Sequence, residues 1–296
     1  MKIIAFVVTY NRISMLPRVI ESLKTQTFHI DEIVVINNSS TDGTLEWLNN
    51  QNDITIITQE NLGGAGGFNK GLEYSYENGA DWIWMMDDDV YPNTDTLEKL
   101  LEYSKFSECI IPWRCFSDQK DVKWGGIFDI EKNRIVPGSR SSNQQKKPYY
   151  FVNTCCFEGT LISKKIVAKI GFPDKRFFIS GDDTVYGLLA SVYTNLILVK
   201  DAVLIRDKSS ESDKILSSLF LYYKFRNFHL LSEYNKILNK KNYSLIEKLK
   251  ILYSFYLYGK IIILSQKNKR KLFRGMFNGL IDSYLKKTGP THQNRI

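Results

Sequence analysis

Short apolar runs alternate with amphipathic stretches through the first hundred residues of this 296-residue chain. The apolar runs predict strands at 3–9, 32–36, 54–58 and 82–86, and the stretches between them predict helices at 16–25, 44–49 and 67–76. This order produces right-handed crossovers and a mostly parallel sheet with helices on both faces. Ligands bind such sheets at the carboxyl ends of the strands. The sequence therefore predicts an α/β fold whose site lies where these strands end.

Three consecutive carboxylates follow the fourth predicted strand. Asp87, Asp88 and Asp89 come directly after Trp82-Ile83-Trp84-Met85-Met86, which reads as a strand buried on both faces. Like charges at the mouth of a buried strand are costly unless a cation neutralises them, and Mg²⁺ and Mn²⁺ prefer carboxylate oxygens. The triplet is therefore a candidate metal site, with a solvated acidic turn as the alternative.

Polar loops follow the first three predicted strands. Thr9-Tyr10-Asn11-Arg12 and the segment 37–43 offer amides and a carboxylate to a base and a ribose, although turns are rich in such residues. The third loop, 60–71, is rich in glycine and leads into a helix, so its backbone can approach a ligand closely. It matches neither the phosphate-loop pattern nor a Gly-x-Gly-x-x-Gly after the first strand. These mismatches argue against a dinucleotide-binding enzyme or a nucleoside triphosphate hydrolase.

The later part of the chain becomes helical and basic. Beyond strands predicted at 151–157 and 196–199 and a helix at 163–170, the pattern predicts helices at 215–238, 245–264 and 270–285. We place a boundary near Lys208, which gives segments 1–208 and 209–296. From Lys214 onward there are 17 basic and three acidic residues, a charge of +14 against +8 for the whole chain. This asymmetry predicts an anionic partner, a membrane surface or nucleic acid, unless it only solvates helix faces.

Neither export nor a membrane span is expected. The opening apolar segment is too short for a signal peptide, and the stretch 251–264 is shorter than the roughly 20 residues of a spanning helix. The four cysteines are too few for a disulfide framework, which indicates free thiols in a reducing compartment. A cytoplasmic protein is expected.

The strand-end motifs occur in a specific order. They are Val8-Thr9-Tyr10-Asn11-Arg12, Asn38-Ser39-Ser40-Thr41-Asp42-Gly43-Thr44, Asn61-Leu62-Gly63-Gly64-Ala65-Gly66-Gly67-Phe68, Asp87-Asp88-Asp89 and Gly181-Asp182-Asp183. Each is common alone, but in this order the set resembles the inverting family 2 glycosyltransferases with a GT-A fold, over about residues 1–230. The glycine-rich run and Tyr222-Tyr223-Lys224-Phe225-Arg226-Asn227 look most like the branch that contains bacterial galactofuranosyl- and rhamnosyltransferases.

This resemblance implies a GT-A domain at 1–208 and a helical basic appendage at 209–296. It also implies a nucleotide-sugar donor, with a UDP-sugar favoured, and Mn²⁺ or Mg²⁺ bound to the donor diphosphate. Asp89 would be the principal metal ligand, together with Asp87. The implied donor-binding residues are Thr9, Tyr10, Asn11, Arg12, Asn38, Asp42, Gly63, Gly64, Gly66, Gly67, Asn69, Asp87 and Asp88. A bound ion would neutralise the charge that builds on the departing diphosphate.

An inverting transfer also needs a base for the acceptor hydroxyl, and a carboxylate is suitable. Asp182 and Asp183 supply a pair whose mutual repulsion separates their pKa values. We favour Asp183 as the base or its immediate support and keep Asp182 as the alternative; an acid-rich helix N-terminus would be a purely structural explanation. Trp124, through ring stacking, and Glu158 are candidate acceptor contacts.

The chain departs from the family pattern at three places. Relatives commonly have aspartate where it has Asn37, glutamate where it has Val185, and a histidine metal ligand near 204–207. Asp207 could replace the histidine as an oxygen ligand, or Arg206 could meet the diphosphate as a fixed cation.

We therefore expect a metal-dependent inverting glycosyltransferase that acts on a glycan or lipid-linked glycan in cell-surface polysaccharide synthesis. UDP-galactofuranose is the first expected donor and dTDP-rhamnose the second. Because related enzymes extend glycans on lipid carriers, the basic helices are expected to meet the inner face of the plasma membrane, and no nucleic acid is expected. One alternative is a nucleotidyltransferase, which would require a basic glycine-rich signature after the first strand. The other is a noncatalytic glycan- or nucleic-acid-binding module, which would need neither Asp89 nor Asp183.

Overall fold

The first half of the chain forms four parallel strands joined by helices. A computed structural model describes residues 1–118, 120, 126–129, 134–136, 147–207, 217–239, 253, 257, 260, 264 and 268–291. The strands are β1 (Ile3–Thr9), β2 (Glu32–Asn37), β3 (Thr55–Thr58) and β4 (Trp82–Asp87), and the helices are α1 (Leu16–Lys24), α2 (Thr44–Asn49) and α3 (Gly63–Glu77). The strands lie side by side in the order β3-β2-β1-β4, each pair parallel. The predicted alternation is confirmed.

The second half extends the same sheet with mixed strand directions. Its elements are β5 (Val90–Pro92), α4 (Thr96–Leu101), β6 (Cys109–Phe116), β7 (Phe128–Asp129), β8 (Arg134–Ile135), β9 (Tyr149–Val152), β10 (Leu161–Ser163), α5 (Lys164–Ile170), α6 (Asp182–Ser191) and β11 (Leu196–Arg206). The sheet continues from β4 as β10-β6-β11-β5, with β9 also on β11, while β7 and β8 form a separate ribbon. Because β10 runs antiparallel to both β4 and β6, the whole sheet is mixed.

Two predicted strands have different lengths in the structure. The strand predicted at 151–157 is wrong in extent because it ends at Val152, where the side chain of Asn153 exchanges hydrogen bonds of 2.7 and 2.9 Å with the backbone of Phe128. The strand predicted at 196–199 continues to Arg206 after a register shift between Val199 and Val203. This extension carries the strand towards β5 and the acid triplet.

The central strand β1 is buried along its whole length. Alternate residues point to opposite faces, so Ile3 and Val7 pack in one core cluster with α1, whereas Ile4 and Phe6 pack in the other with α3. The helices packed on both faces hold β1 in place. The loop that follows β1 projects from its carboxyl end.

Helices follow the sheet towards the C-terminus. The helix predicted at 215–238 is instead two, α7 (Ser218–Arg226) and α8 (Phe228–Asn239), which are interrupted at Asn227. The helix predicted at 270–285 is confirmed as α9 (Lys269–Tyr284), and the one predicted at 245–264 lies largely outside the described residues. Helix α9 can lie close to α7 because it has glycine at positions 275 and 279. A Cβ at either position would collide with the α7 backbone. In the described ranges, no helix has both the length and the apolarity to cross a bilayer.

Candidate active site

The acid triplet lies beside the loop that follows β1. Thr9 Oγ1 donates a 2.9 Å hydrogen bond to Asp88 Oδ2, and the backbone amide of Tyr10 donates to the same oxygen over 3.2 Å. Arg12 Nε lies 3.6 Å from the other carboxylate oxygen. Burial raises the pKa of Asp88 to about 6. Asp88 thus holds the first strand-end loop against β4.

Asp87 lies among like charges. Burial raises the pKa of Asp87 well above its ordinary value, and the charges of Asp89, Asp88 and Glu158 raise it further. Crowded carboxylates of this kind are stabilised by a hard divalent cation, so the donor chemistry fits Mg²⁺ or Mn²⁺. Within the described residues, no three His, Cys, Asp or Glu side chains already converge as a metal site.

A row of alternating charges extends from Asp89. Arg206 Nη2 lies 3.8 Å from Asp89 Oδ2, and Arg206 Nη1 lies 3.8 Å from Glu158 Oε1. Glu158 Oε2 in turn accepts a 3.0 Å hydrogen bond from Arg114 Nη1, and both of these residues are buried. Positive charge is therefore fixed beside the triplet in the stretch 204–207, where the family resemblance predicted a metal ligand.

Asp207 lies next to the triplet through backbone pairing. Its amide donates a 2.7 Å hydrogen bond to the carbonyl of Asp89, directly beyond the pairing of Arg206 with Val90. The Asp207 carboxylate is 3.5 Å from Arg18 Nη1. The predicted ligand is therefore brought to the metal-site candidate, with its carboxylate directed at an arginine.

The loops after β1 and β2 are joined to each other. Asn11 has a left-handed backbone, with φ of 53°, and its Oδ1 accepts a 2.7 Å hydrogen bond from the Thr41 amide. Asp42 accepts a 3.1 Å hydrogen bond from the Ile13 amide and a second from the Thr44 hydroxyl. Asn11 and Asp42, both predicted donor contacts, fix the relative position of the two loops.

The glycine-rich loop predicted at 60–71 is wrong in extent, because α3 begins at Gly63, four residues before the predicted start. The predicted donor-binding glycines, which all lie within the first turns of α3, are Gly63, Gly64, Gly66 and Gly67. A Cβ at Gly67 would collide with the Val8 side chain, and one at Gly63 with the Phe178 carbonyl, whereas nothing lies within 4 Å of one at Gly64. Gly63 and Gly67 thus permit close packing of α3, and Gly64 faces open space.

Two predicted donor-binding amides brace the same region. Asn38 Nδ2 donates a 3.2 Å hydrogen bond to the carbonyl of Gly63, and Asn69 Nδ2 donates a 2.8 Å bond to the carbonyl of Pro173. Both side chains connect α3 to neighbouring loops. Their described contacts are structural.

Asp182 and Asp183 begin α6, where Asp182 is buried and Asp183 is partly exposed. Burial raises the pKa of Asp182 to about 8, and the adjacent charge of Asp183 contributes. Burial also raises the pKa of Asp183, but hydrogen bonds from Thr184, one of 2.6 Å from its amide, limit that pKa to about 6. The pKa of Asp182 is thus raised further than that of Asp183, whose carboxylate the Thr184 hydrogen bonds stabilise.

Glu158 relates the triplet electrostatically to this pair. Its charge raises the pKa of both Asp87 and Asp183, although these two residues belong to different elements. The segment that contains Glu158 also joins the two groups geometrically, since Cys155 Sγ donates a 3.3 Å hydrogen bond to the Asp183 carbonyl and the Gly159 amide donates a 2.8 Å bond to the Met85 carbonyl of β4. Glu158 itself was predicted as an acceptor contact. The other acceptor candidate, Trp124, lies outside the described residues.

Sequence reasoning missed Arg114. It stands within the apolar run of β6, and a charge inside such a run signals a buried partner. Its partner Glu158 is 44 residues away, so no local pattern joins the two.

Solved structures share this fold. The crystal structure of S. aureus TarS 1–349 aligns with a TM-score of 0.57 and 16% identity over 96% of this chain and 81% of that one. GalNAc-T7, solved with UDP, GalNAc and Mn²⁺, aligns with a TM-score of 0.61 and 14% identity over 86% of this chain and 54% of that one. These likenesses define the fold class as GT-A, as predicted.

The family model "Glycosyl transferase family 2" matches residues 4–171, and the chain belongs to that family. It is 29% identical to galactofuranosyltransferase GlfT1 of Mycolicibacterium smegmatis over 60% of this chain and 62% of the relative. It is 26% identical to dTDP-rhamnosyl transferase RfbF of Shigella flexneri over 99% of this chain and 98% of the relative. The chain thus spans about 62% of the length of the GlfT1 relatives. The predicted family resemblance is confirmed.

Proposed function

We propose that this chain is a metal-dependent inverting glycosyltransferase that moves a sugar from a nucleotide-sugar donor to a hydroxyl of a glycan or lipid-linked glycan. The observation that carries the proposal is the segment 155–159, which connects the two acidic groups through hydrogen bonds to the Asp183 carbonyl and to the Met85 carbonyl of β4. One group suits a diphosphate-bound cation and the other suits a base.

The metal would be held by Asp89 and Asp87, with Asp207 as a further candidate carboxylate. A bound divalent ion stabilises the negative charge of the departing nucleoside diphosphate. Arg12 and Arg206 would add fixed positive charge beside the same diphosphate, whereas Thr9 and Asp88 keep the first loop in position. The loops after β1 and β2 and the open face at Gly64 would receive the nucleotide.

Asp183 would take the proton of the acceptor hydroxyl. As this proton leaves, the acceptor oxygen bonds to the anomeric carbon, and the bond from that carbon to the diphosphate oxygen breaks on the opposite face, so the configuration inverts. Asp182, with its pKa raised to about 8 by burial, would remain protonated and leave one charged carboxylate for the task.

UDP-galactofuranose is the first donor that we propose, since the relatives named galactofuranosyltransferase share 29% identity with this chain. dTDP-rhamnose is the second, favoured by the nearly full-length match to the relative named dTDP-rhamnosyl transferase. The test supplies each nucleotide sugar with Mn²⁺, with and without lipid-linked glycan acceptors, and measures nucleoside diphosphate release. Release from one donor identifies the sugar; release from no nucleotide sugar under any of these conditions contradicts the proposal.

We also propose that residues 1–208 form the catalytic domain and that 209–296 form a helical appendage on an anionic membrane surface, at the inner face of the plasma membrane. Helix α9 supports this proposal because one exposed stripe carries Lys271, Arg274, Phe277, Ile281 and Tyr284. Tyr284 is 88% exposed and Phe277 is 63% exposed, which suits insertion between lipid headgroups.

A further inference from the structure

The loop that leads into the Asp182–Asp183 pair has an unusual backbone. Within residues 176–181, Phe178 and Ser180 have φ of 63° and 74°, and Gly181 has φ of 97°. A positive φ at residues other than glycine is strained and persists only where surrounding contacts impose it. Something outside the loop must therefore hold it.

Two consecutive buried residues at the end of α7 make those contacts. Arg226 and Asn227 are each 1% exposed. Asn227 Nδ2 lies within hydrogen-bond distance of three loop carbonyls, those of Phe177 at 3.0 Å, Ile179 at 2.8 Å and Ser180 at 2.8 Å. Its side-chain amide therefore lies at the centre of the loop's concave side.

Arg226 reaches the beginning of the same loop. Arg226 Nη2 donates to the carbonyls of Arg176, over 3.1 Å, and of Phe177. Its guanidinium also donates to Asn227 Oδ1, which orients the amide that holds the rest of the loop. Arg226 Nη1 donates to the carbonyl of Gly289, whose amide donates back to the Arg176 carbonyl over 3.1 Å.

The other side of the loop packs against α3 and α7. The Ala65 amide donates a 3.1 Å hydrogen bond to the Phe178 carbonyl, and the Phe178 ring stacks on Tyr223 with centroids 4.9 Å apart. The loop is thus held between the glycine-rich helix and the C-terminal helices, and Asp182 follows it immediately. A displacement of the loop would move both acids.

We propose that Arg226 and Asn227 are positioning residues that set the place of Asp182 and Asp183 through the backbone of loop 176–181. The inference rests on the proposed glycosyl transfer and adds a role for the C-terminal helices in it. Neither residue is proposed to touch the donor or the acceptor. Their loss should reduce turnover while leaving donor affinity intact.

The main test is Asn227→Asp in the full chain, because this change keeps the side-chain shape and replaces the donor nitrogen with an oxygen that repels three carbonyls. Arg226→Lys keeps the charge but not the fork of donors. We expect kcat to fall by about 10- to 100-fold with the donor KM within about twofold, since a misplaced base affects the chemical step. Hydrogen–deuterium exchange of peptides covering 176–183 should increase.

Ser217→Ala is the matched control, since it removes a side-chain cap at the opposite end of α7, a 3.0 Å bond from the Phe220 amide. It should change neither kcat nor exchange of the loop. Unchanged kcat and exchange in a folded Asn227→Asp protein would overturn the inference, as would equal losses in the control. If the wild-type chain transfers no sugar, the proposed function fails, and the exchange experiment still decides whether the two residues hold the loop.

Discussion

The Asp207 amide donates a 2.7 Å hydrogen bond to the Asp89 carbonyl, so the chain that follows β11 is fixed beside the acid triplet by backbone alone. Side-chain changes at either position can therefore alter metal affinity without removing this bond. The Asp207 carboxylate itself is directed at Arg18, 3.5 Å away.

Asp89→Ala should remove the Mn²⁺-dependent part of donor binding. We expect Mn²⁺ affinity to fall by more than about 100-fold in Asp89→Ala, because Asp89 is the proposed direct ligand. In Asp207→Asn we expect a fall of about 10-fold, because Asp207 would only support the site. Titration calorimetry with UDP in Mn²⁺ and in EDTA measures both. Asp81→Asn is the control because Asp81 pairs with the chain's amino end, at the opposite end of β4. Unchanged Mn²⁺-dependent affinity in Asp89→Ala would exclude it as a ligand.

The rate of transfer should rise with pH through about 6. Burial raises the pKa of Asp183 to about 6, and only the ionised form accepts the hydroxyl proton. A kcat profile from pH 4.5 to 8.5 should show this limb, and Asp183→Asn should lose both the limb and most of the turnover while still binding the donor. If Asp183→Asn turns over within a few-fold of wild type, the base lies elsewhere, with Asp182 the next candidate.

The same acids should make the protein less stable as pH rises. Their folded-state pKa values, about 8 for Asp182 and about 6 for Asp183, lie above the unfolded value near 4, so the unfolded chain releases these protons first. Between pH 4 and these values the free energy of unfolding should fall by up to about 1.4 kcal/mol per pH unit for each acid. Urea unfolding should show a smaller fall in Asp182→Asn than in wild type, and equal falls would contradict the assignment.

Two neighbouring glycines should respond oppositely to alanine. Gly67→Ala should lose about 1 to 3 kcal/mol of stability because its Cβ would collide with Val8, a buried residue of β1. Gly64→Ala should be neutral or gain up to about 1 kcal/mol, since its Cβ meets nothing within 4 Å and alanine favours helix. Thermal or urea unfolding compares the two, and similar losses in both would show that helical packing is not what distinguishes them.

The exposed stripe of α9 should bind anionic vesicles. Phe277→Ser with Tyr284→Ser should weaken sedimentation with phosphatidylglycerol vesicles by at least about 10-fold, because each aromatic ring loses apolar burial. Val192→Ser is the control, because it removes an exposed apolar side chain, 62% exposed, that follows α6 and lies outside the stripe. Equal binding to neutral phosphatidylcholine vesicles, or self-association through this stripe, would contradict the membrane assignment.

The first four strands were predictable because each pairs a local apolar run with a turn and an amphipathic helix. The beginning of α3 was not, since glycine disfavours helix and the first turn is held by a hydrogen bond from the Ala65 amide to the carbonyl of Phe178, a residue more than a hundred positions away. β10 is three residues long and exists through pairing with β4 and β6, which no local pattern encodes.

The candidate acids were predictable because they follow strands or begin a helix in clusters. Their partners were not, because Arg114 with Glu158 and Asn227 with loop 176–181 meet only in three dimensions. The motif that contains Arg226 and Asn227 was visible as a family resemblance, yet its position within a predicted helix gave no hint that α7 would end there.

The register shift in β11 decides that the side chain of Arg206, which pairs with Val90, reaches the Asp89 carboxylate. Residues 200–202 have no counterparts between Pro112 and Trp113 of β6, so the last part of the strand is offset from the first. Side chains alternate along a strand, so lengthening or shortening this bulge by one residue would turn Arg206 away and present Ile205 or Asp207 in its place. A single deletion in this bulge would thereby replace a cation beside the acid triplet with a carboxylate, and a single insertion would replace it with an apolar side chain.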